Sequence, residues 1–312
     1  MVSDNATEFT IEVPDTFDFE TNVGYLARSP HECMHSIEGN VVSKRIPAGK
    51  SAPLVSIEGR GNEPLRVRLR EQEARANEEQ VQAIIRFVKE WFDLDSDLSS
   101  FYSIARGDVL LAPLAEAYRG LRMIGIPDLY EAVCWGILGQ QINLAFAYTL
   151  KRRFVETFGE AISYGGRLHW TFPKPADIAN LAPEALTSLQ LTGRKAEYLI
   201  GVAKLIDSGE LNKEQLLRAA NPKEAERRLV SIRGIGPWTA NYVLMRCLRL
   251  PSAFPIDDVG LHNAIKLRLG LPEKPTISHI RELSAGWAGW EAYATFYLWR
   301  ALETHQASKS GK

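Results

Sequence analysis

Residues 229–258 constrain this chain more than any other stretch. They read Leu-Val-Ser-Ile-Arg-Gly-Ile-Gly-Pro-Trp-Thr-Ala-Asn-Tyr, then an apolar run, then Phe-Pro-Ile-Asp-Asp. A helical pattern ends, the chain turns at Gly234 and Gly236, and a second helical pattern begins beyond Pro237. Two carboxylates, Asp257 and Asp258, follow some twenty positions later. Glycines on both sides of one apolar residue let the backbone turn sharply and approach another surface with no Cβ in the way. The first N–H groups of the second helix have no partner within it and suit a phosphate. Backbone N–H groups bind phosphate without reading sequence.

Composition narrows the class. A chain of 312 residues has room for two or three domains, and its 45% hydrophobic content is ordinary for a globular protein. No apolar run approaches the ~18–20 residues that cross a bilayer. Asp4 and Glu8 near the start, with no apolar stretch, predict no signal peptide. Cys33, Cys134 and Cys247 are too few and too scattered for a disulfide framework. A reducing intracellular compartment is therefore expected: cytoplasm in a bacterium, nucleus in a eukaryote. Three thiols also cannot hold an iron–sulfur cluster through four cysteines. The six histidines lack a cysteine at ligand spacing, so no zinc site is predicted. The net charge of −1 hides an asymmetry: residues 1–110 carry 12 basic and 19 acidic side chains, the remainder 25 and 19. The hairpin lies in the positive part, as a phosphate-facing surface requires.

The predicted fold class is α+β: an antiparallel β-rich N-terminal domain followed by an all-helical core. Alternating apolar residues predict strands at 9–13, 41–43 and 65–70, separated by Gly and Pro turns. In the last of these the three arginines share a face expected to be solvated. From residue 78 the apolar period changes to that of a helix, with positions 81, 84, 85, 88, 91 and 92 on one side. Further helical patterns are predicted near 108–118, 128–138, 143–158, 194–207, 222–230, 238–249, 258–269, 277–286 and 290–303. The expected organisation is an N-terminal domain over 1–110, a helical core over 111–305 with its hairpin element at about 222–249, and a flexible tail over 306–312.

The hairpin with its trailing Asp resembles the helix-hairpin-helix Gly/Pro…Asp element of base-excision DNA glycosylases. Phe17-Asp-Phe, Tyr25-Leu-Ala-Arg-Ser-Pro30, Phe92-Asp-Leu-Asp95, Ile137-Leu-Gly-Gln-Gln-Ile142, Arg194-Lys-Ala-Glu-Tyr198 and the span Tyr293 to Trp299 extend the likeness to nearly the whole chain. They make it resemble the 3-methyladenine DNA glycosylase II (AlkA) type, in a branch without an iron–sulfur cluster. The resemblance implies a monofunctional enzyme that flips and releases alkylated purines from double-stranded DNA, leaving an abasic site. Expected substrates are 3-methyladenine and 7-methylguanine, with hypoxanthine a further candidate. It also implies a monomer with no membrane partner and no required cofactor. An oxidised-purine glycosylase and a non-catalytic damage-binding protein are the rival readings.

Each singled-out residue carries two readings. An Asp before a helical pattern is a favoured N-cap. The resemblance instead makes Asp258, the second of the pair, the catalytic carboxylate, with Asp257 as cap or support. Such a charge stabilises the oxocarbenium character that develops on the sugar. Trp238, Tyr242 and Trp299 are either core rings or the walls that receive a flipped base. Lyase relatives carry a lysine at the Trp238 position, and tryptophan cannot form a Schiff base. Phe17 and Phe19 are candidates to close the pocket from the β-domain, while Trp91, Trp135 and Trp287 are assigned to structure. Gln141 is either a turn residue or, by resemblance, the wedge that fills the gap in the duplex, with Asn143 capping the next helix. Phosphate contact is expected at the N–H groups of Gly234, Gly236 and Thr239, and Arg194-Lys195 is a second phosphate contact or a solvated helix start. The resemblance further implies a monovalent cation, sodium or potassium, on the carbonyls of Val230, Ile232 and Ile235.

Overall fold

A computed structural model describes residues 7–70 and 76–310, the last four as backbone only. The N-terminal part contains β1 (Glu8–Ile11), α1 (Phe19–Leu26), β2 (Ser36–Glu38), β3 (Val41–Arg45), β4 (Leu54–Glu58) and β5 (Leu65–Leu69), followed by α2 (Glu78–Phe92), α3 (Ser99–Gly107) and α4 (Ala112–Ala117). The strands form one antiparallel sheet in the order β1-β5-β4-β3-β2. Leu65 and Val67 of β5 are buried and Arg66 and Arg68 face out, the alternation read from the sequence. The outward arginines meet Glu8 of the neighbouring β1, at 3.5 Å from Arg66 and 2.7 Å from Arg68.

The helical core follows as α5 (Leu129–Leu138), α6 (Leu144–Phe158), α7 (Pro175–Ala179), α8 (Pro183–Thr187), α9 (Gly193–Asp207), α10 (Lys213–Leu217), α11 (Pro222–Val230), α12 (Pro237–Arg246), α13 (Val259–Leu269), α14 (Ile277–Leu283) and α15 (Glu291–Ser310). One two-stranded hairpin interrupts it, β6 (Ala161–Tyr164) with β7 (Arg167–Trp170). Its turn is Gly165-Gly166, both at positive φ, which is the conformation a two-residue hairpin turn of this twist demands. Local side chains set most helix starts. Asn77 and Gln80 form a capping box on α2, and Asp128, Asn143 and Thr192 cap α5, α6 and α9. Helix α15 continues to Ser310, and the last two residues of the expected tail lie outside the described residues.

One contiguous apolar core joins the two parts. Helix α1 lies against α15, with the rings of Tyr25 and Phe296 4.5 Å apart and Arg28 3.6 Å from Glu303. Buried Asn22 ties α1 to the chain entering the core: its side chain donates to the Gly120 carbonyl and accepts from the Arg122 N–H. Phe17 and Phe19 are buried against Phe92 and belong to this core. They do not close the aromatic site, because the chain turning into α1 directs both rings inward beneath the sheet. No helix among the described residues is long and apolar enough to cross a membrane.

Helices α5 and α12 approach closely where Gly136 meets Thr239. A Cβ on Gly136 would stand 2.7 Å from the γ-methyl of Thr239. Helix propensity alone favours alanine over glycine by ~1 kcal/mol. Gly136→Ala is nonetheless expected to lower stability by about 1 kcal/mol or more, because this contact cannot relax. Thr239→Ser keeps the hydroxyl, removes the methyl, and should restore most of the loss in urea unfolding. A Gly136→Ala protein more stable than the parent would refute this packing.

Candidate active site

Asp258 is the helix N-cap that the sequence allowed, and its carboxylate has further partners. It caps α13, where its Oδ1 accepts from the Leu261 N–H at 2.7 Å. The same Oδ1 accepts from Trp299 Nε1 at 2.7 Å, and Oδ2 accepts from Trp238 Nε1 at 2.9 Å. Three N–H donors from α12, α13 and α15 therefore hold one carboxylate that is only 9% exposed. Gly260 makes the arrangement possible. A Cβ there would meet Asp258 Oδ1 at 2.9 Å and Trp299 Nε1 at 3.2 Å. Asp257, its neighbour, is exposed.

The three expected rings lie in a row, Trp238 to Tyr242 at 5.7 Å and Tyr242 to Trp299 at 6.2 Å, each pair inclined by 32°. Trp238 and Trp299 are half-buried, while Tyr242 is buried. Trp135, assigned from sequence to structure, is a buried member of the adjoining cluster. It packs with Tyr148, Ala147 and Tyr242, its ring 4.7 Å from that of Tyr148. Trp91 and Trp287 are buried core residues as expected.

The hairpin between α11 and α12 is fixed from behind. Gly234 has φ +95°, and a Cβ on it would lie 2.3 Å from the Tyr198 ring. Gly236 has an ordinary φ of −88° and open space where a Cβ would go, so only the first glycine is required by the fold itself. Among the described residues, nothing accepts from the N–H groups of Gly234, Gly236, Trp238 or Thr239. The Thr239 hydroxyl is buried and accepts from Gln140 Nε2, which also donates to the Gly234 carbonyl. Lys195 is not a phosphate contact. It is buried, and its ammonium donates to the carbonyls of Leu138 and Gln140, both at 2.8 Å, closing the end of α5. Burial draws its pKa below the usual lysine value. Arg194 remains exposed. Gln141 is exposed at φ +58°, the strained end of the loop that Gln140 anchors. The Ile232 carbonyl accepts from the Ile235 N–H at 3.0 Å, whereas no donor among the described residues reaches the carbonyls of Val230 and Ile235.

Behind the rings lies a polar layer that the sequence reading missed. Arg246 follows Trp238 and Tyr242 at successive four-residue steps on one face of α12. Lys151 of α6 bonds Glu131 of α5 at 2.9 Å and lies 3.5 Å from Glu32 of the N-terminal part. Burial works against both carboxylates, but Lys151 prevails and holds them below the usual range. Burial also pushes the Tyr242 phenol up to about 12, so it stays protonated. The spacing of Arg246 from Tyr242 was a visible signal; the partners of Gln140 and Lys151 were not.

A five-stranded sheet leading into helices, a glycine hairpin and a buried carboxylate beside aromatic rings define the helix-hairpin-helix class of base-excision proteins. Comparison with known proteins agrees. The family model for HhH-GPD superfamily base excision DNA repair proteins matches residues 134–289, and that for the AlkA N-terminal domain matches residues 8–128. A DNA-3-methyladenine glycosylase of Bacillus subtilis (strain 168) is 50% identical over 94% of this chain and 96% of its own length. DNA-3-methyladenine glycosylase 2 of Escherichia coli (strain K12) is 32% identical over 61% of this chain and 63% of its own. The structure of a 3-methyladenine DNA-glycosylase from Archaeoglobus fulgidus superposes with a TM-score of 0.80 over 93% of this chain and 97% of that one, at 24% identity, a likeness of fold. This chain belongs to the HhH-GPD superfamily, with an AlkA-type N-terminal domain.

The two hairpin glycines should separate in a stability assay. Gly234→Ala forces a side chain into positive φ and into Tyr198, and should cost about 2 kcal/mol or more. Gly236→Ala should leave thermal unfolding within about 0.5 kcal/mol of the parent. Equal losses would contradict the hairpin geometry described here.

Proposed function

We infer that this protein is a monofunctional DNA glycosylase that hydrolyses the N-glycosidic bond of alkylated purines in double-stranded DNA. The carrying observation is the Asp258 carboxylate, which three N–H donors hold in one orientation beside a row of aromatic rings.

In this reading a damaged nucleotide leaves the duplex and its base stacks on Trp238, Tyr242 and Trp299. As the C1′–N bond breaks, positive charge grows on the sugar, and the fixed Asp258 carboxylate stabilises it. A water then adds to C1′. A base already carrying positive charge departs as a neutral molecule, so one carboxylate suffices. Trp238 offers no amine, so the product is an abasic site in an unbroken strand. In this reading Gln141 enters the gap, which its exposure and the anchoring of its neighbour Gln140 support. The N–H groups of Gly234, Gly236 and Thr239 dock a phosphate without reading sequence. The carbonyls of Val230, Ile232 and Ile235 would suit a sodium or potassium ion, since among the described residues two have no donor and the third keeps a lone pair. Bound there, such an ion would supply positive charge to the hairpin.

Asp258→Asn should lower single-turnover release of 3-methyladenine by roughly a hundredfold or more. Affinity for a duplex with an abasic analogue should change by no more than a few-fold. Asp257→Asn should leave both near the parent values. Wild-type release rates in Asp258→Asn would remove the site assignment.

Treatment of a reacting mixture with borohydride should yield no covalent protein–DNA adduct, and the products should be free base and an intact strand. A strong trapped adduct would show that an amine nucleophile acts here after all. Gly236→Ala, which spares the fold, should weaken binding to damaged and undamaged duplexes alike. A loss confined to catalysis would count against phosphate docking at the hairpin.

A further inference from the structure

The stripe Trp238, Tyr242, Arg246 runs along α12 from the half-buried rim of the site into the interior, where Arg246 is 3% exposed. Arg246 Nε donates to the Ile124 carbonyl at 2.6 Å. Its Nη1 donates to the phenol oxygens of Tyr25 and Tyr242, each at 3.2 Å. Rings of Tyr25, Tyr242 and Phe296 surround the guanidinium at 5.5 to 5.7 Å. Among the described residues, no carboxylate pairs with Arg246 and nothing accepts from its Nη2. Three hydrogen bonds and three aromatic faces offset part of the cost of burying this charge, and the Nη2 donors are left for a further acceptor.

Arg246 lines a cavity of about 40 Å³ that shares Ile126, Trp135 and Tyr148 with the aromatic cluster. One water-sized probe occupies ~10–15 Å³, so the space admits a projecting oxygen or a few waters, and no purine ring. The other cations on its wall are already engaged. Lys151 meets Glu131 and Glu32, Arg28 meets Glu303, and Lys44 donates to the Met34 carbonyl at 3.2 Å. His35, on the same wall, is pushed down to about 4 by burial and is neutral near pH 7. The cavity therefore offers an unused donor and room for one acceptor atom.

We propose that this cavity is an edge-reading subsite in which Arg246 donates to the 6-oxo group of a flipped 6-oxopurine such as hypoxanthine. This rests on the glycosylase reading above. The chemistry gives the contact a purpose. A neutral base leaves with the electron pair of the C1′–N9 bond, and the negative charge spreads over the ring onto O6. A guanidinium at O6 stabilises that charge. Water supplies the oxygen that bonds to C1′, and its proton ends on the released base. Cationic 3-methyladenine leaves as a neutral molecule and presents N–H groups to the subsite, so it gains nothing from Arg246.

The test is single-turnover base release by the full-length protein and by Arg246→Met, on hypoxanthine duplexes and on alkylated DNA that yields 3-methyladenine. Release of hypoxanthine should fall about tenfold further than release of 3-methyladenine. Equal losses would mean that Arg246 only holds Tyr242, and would overturn the subsite. Should Arg246→Met not fold, the wild-type protein decides the matter with duplexes carrying hypoxanthine or unsubstituted purine, which lacks the 6-oxygen. Acceleration over spontaneous hydrolysis should be about tenfold or more greater for hypoxanthine. Equal acceleration would overturn the proposal. Failure of the wild-type protein to release even 3-methyladenine would instead bring down the glycosylase reading itself.

Discussion

Three N–H groups converge on the carboxylate of Asp258, and the geometry of the surrounding core depends on that convergence. Each donor belongs to a different helix, so the charge sets how α12, α13 and α15 stand relative to one another. A carboxylate removed from water is costly unless hydrogen bonds replace its hydration. Here the replacements cannot reverse their roles, because an indole N–H and a backbone N–H only donate. The oxygens are thereby kept in one place, next to rings that can receive a base. Gly260 is part of the same device, because any side chain at that position would push Trp299 away from the carboxylate.

A second constraint ties the hairpin to the aromatic site. Gln140 reaches from the end of α5 to the Gly234 carbonyl and the Thr239 hydroxyl, and Lys195 of α9 closes the α5 terminus from below. The hairpin, the Gln141 loop and the first turn of α12 thus form one rigid block. The hairpin N–H groups and Trp238 are geometrically linked, since both belong to the start of the same helix.

The N-terminal part is more than an appended sheet. Helix α1 brings Tyr25 and Arg28 against α12 and α15, and the segment after it supplies Glu32 to the ion cluster at Lys151. The interior of the site is built jointly by the two parts of the chain. Its outer layer is a row of aromatic rings, whereas the deeper layer holds the charged groups.

Much of this was legible in the sequence because the relevant signals are local. Helix periods, the caps at Asn143 and Asp258, the alternating strand over residues 65–69 and the glycine hairpin each depend on residues a few positions apart. Helix α1 escaped because it is eight residues long, contains Gly24 and sits among strand patterns. The β6–β7 hairpin announced itself through Gly165-Gly166 and could have been found. What no local pattern carries is the choice of distant partner. Lys195, read as a phosphate contact or a solvated helix start, became a buried clamp on α5, and Phe17 and Phe19, candidates to close the pocket, became core. Sequence alone determined the class of fold, the hairpin and the position of the carboxylate, since each follows from spacing along the chain. Only the tertiary structure decided that Asp258 caps a helix and holds two indoles at once, and that Arg246 stands beneath Tyr242 with an unused donor. Those outcomes depend on which helices cross, and crossing is set by packing among residues far apart in the chain.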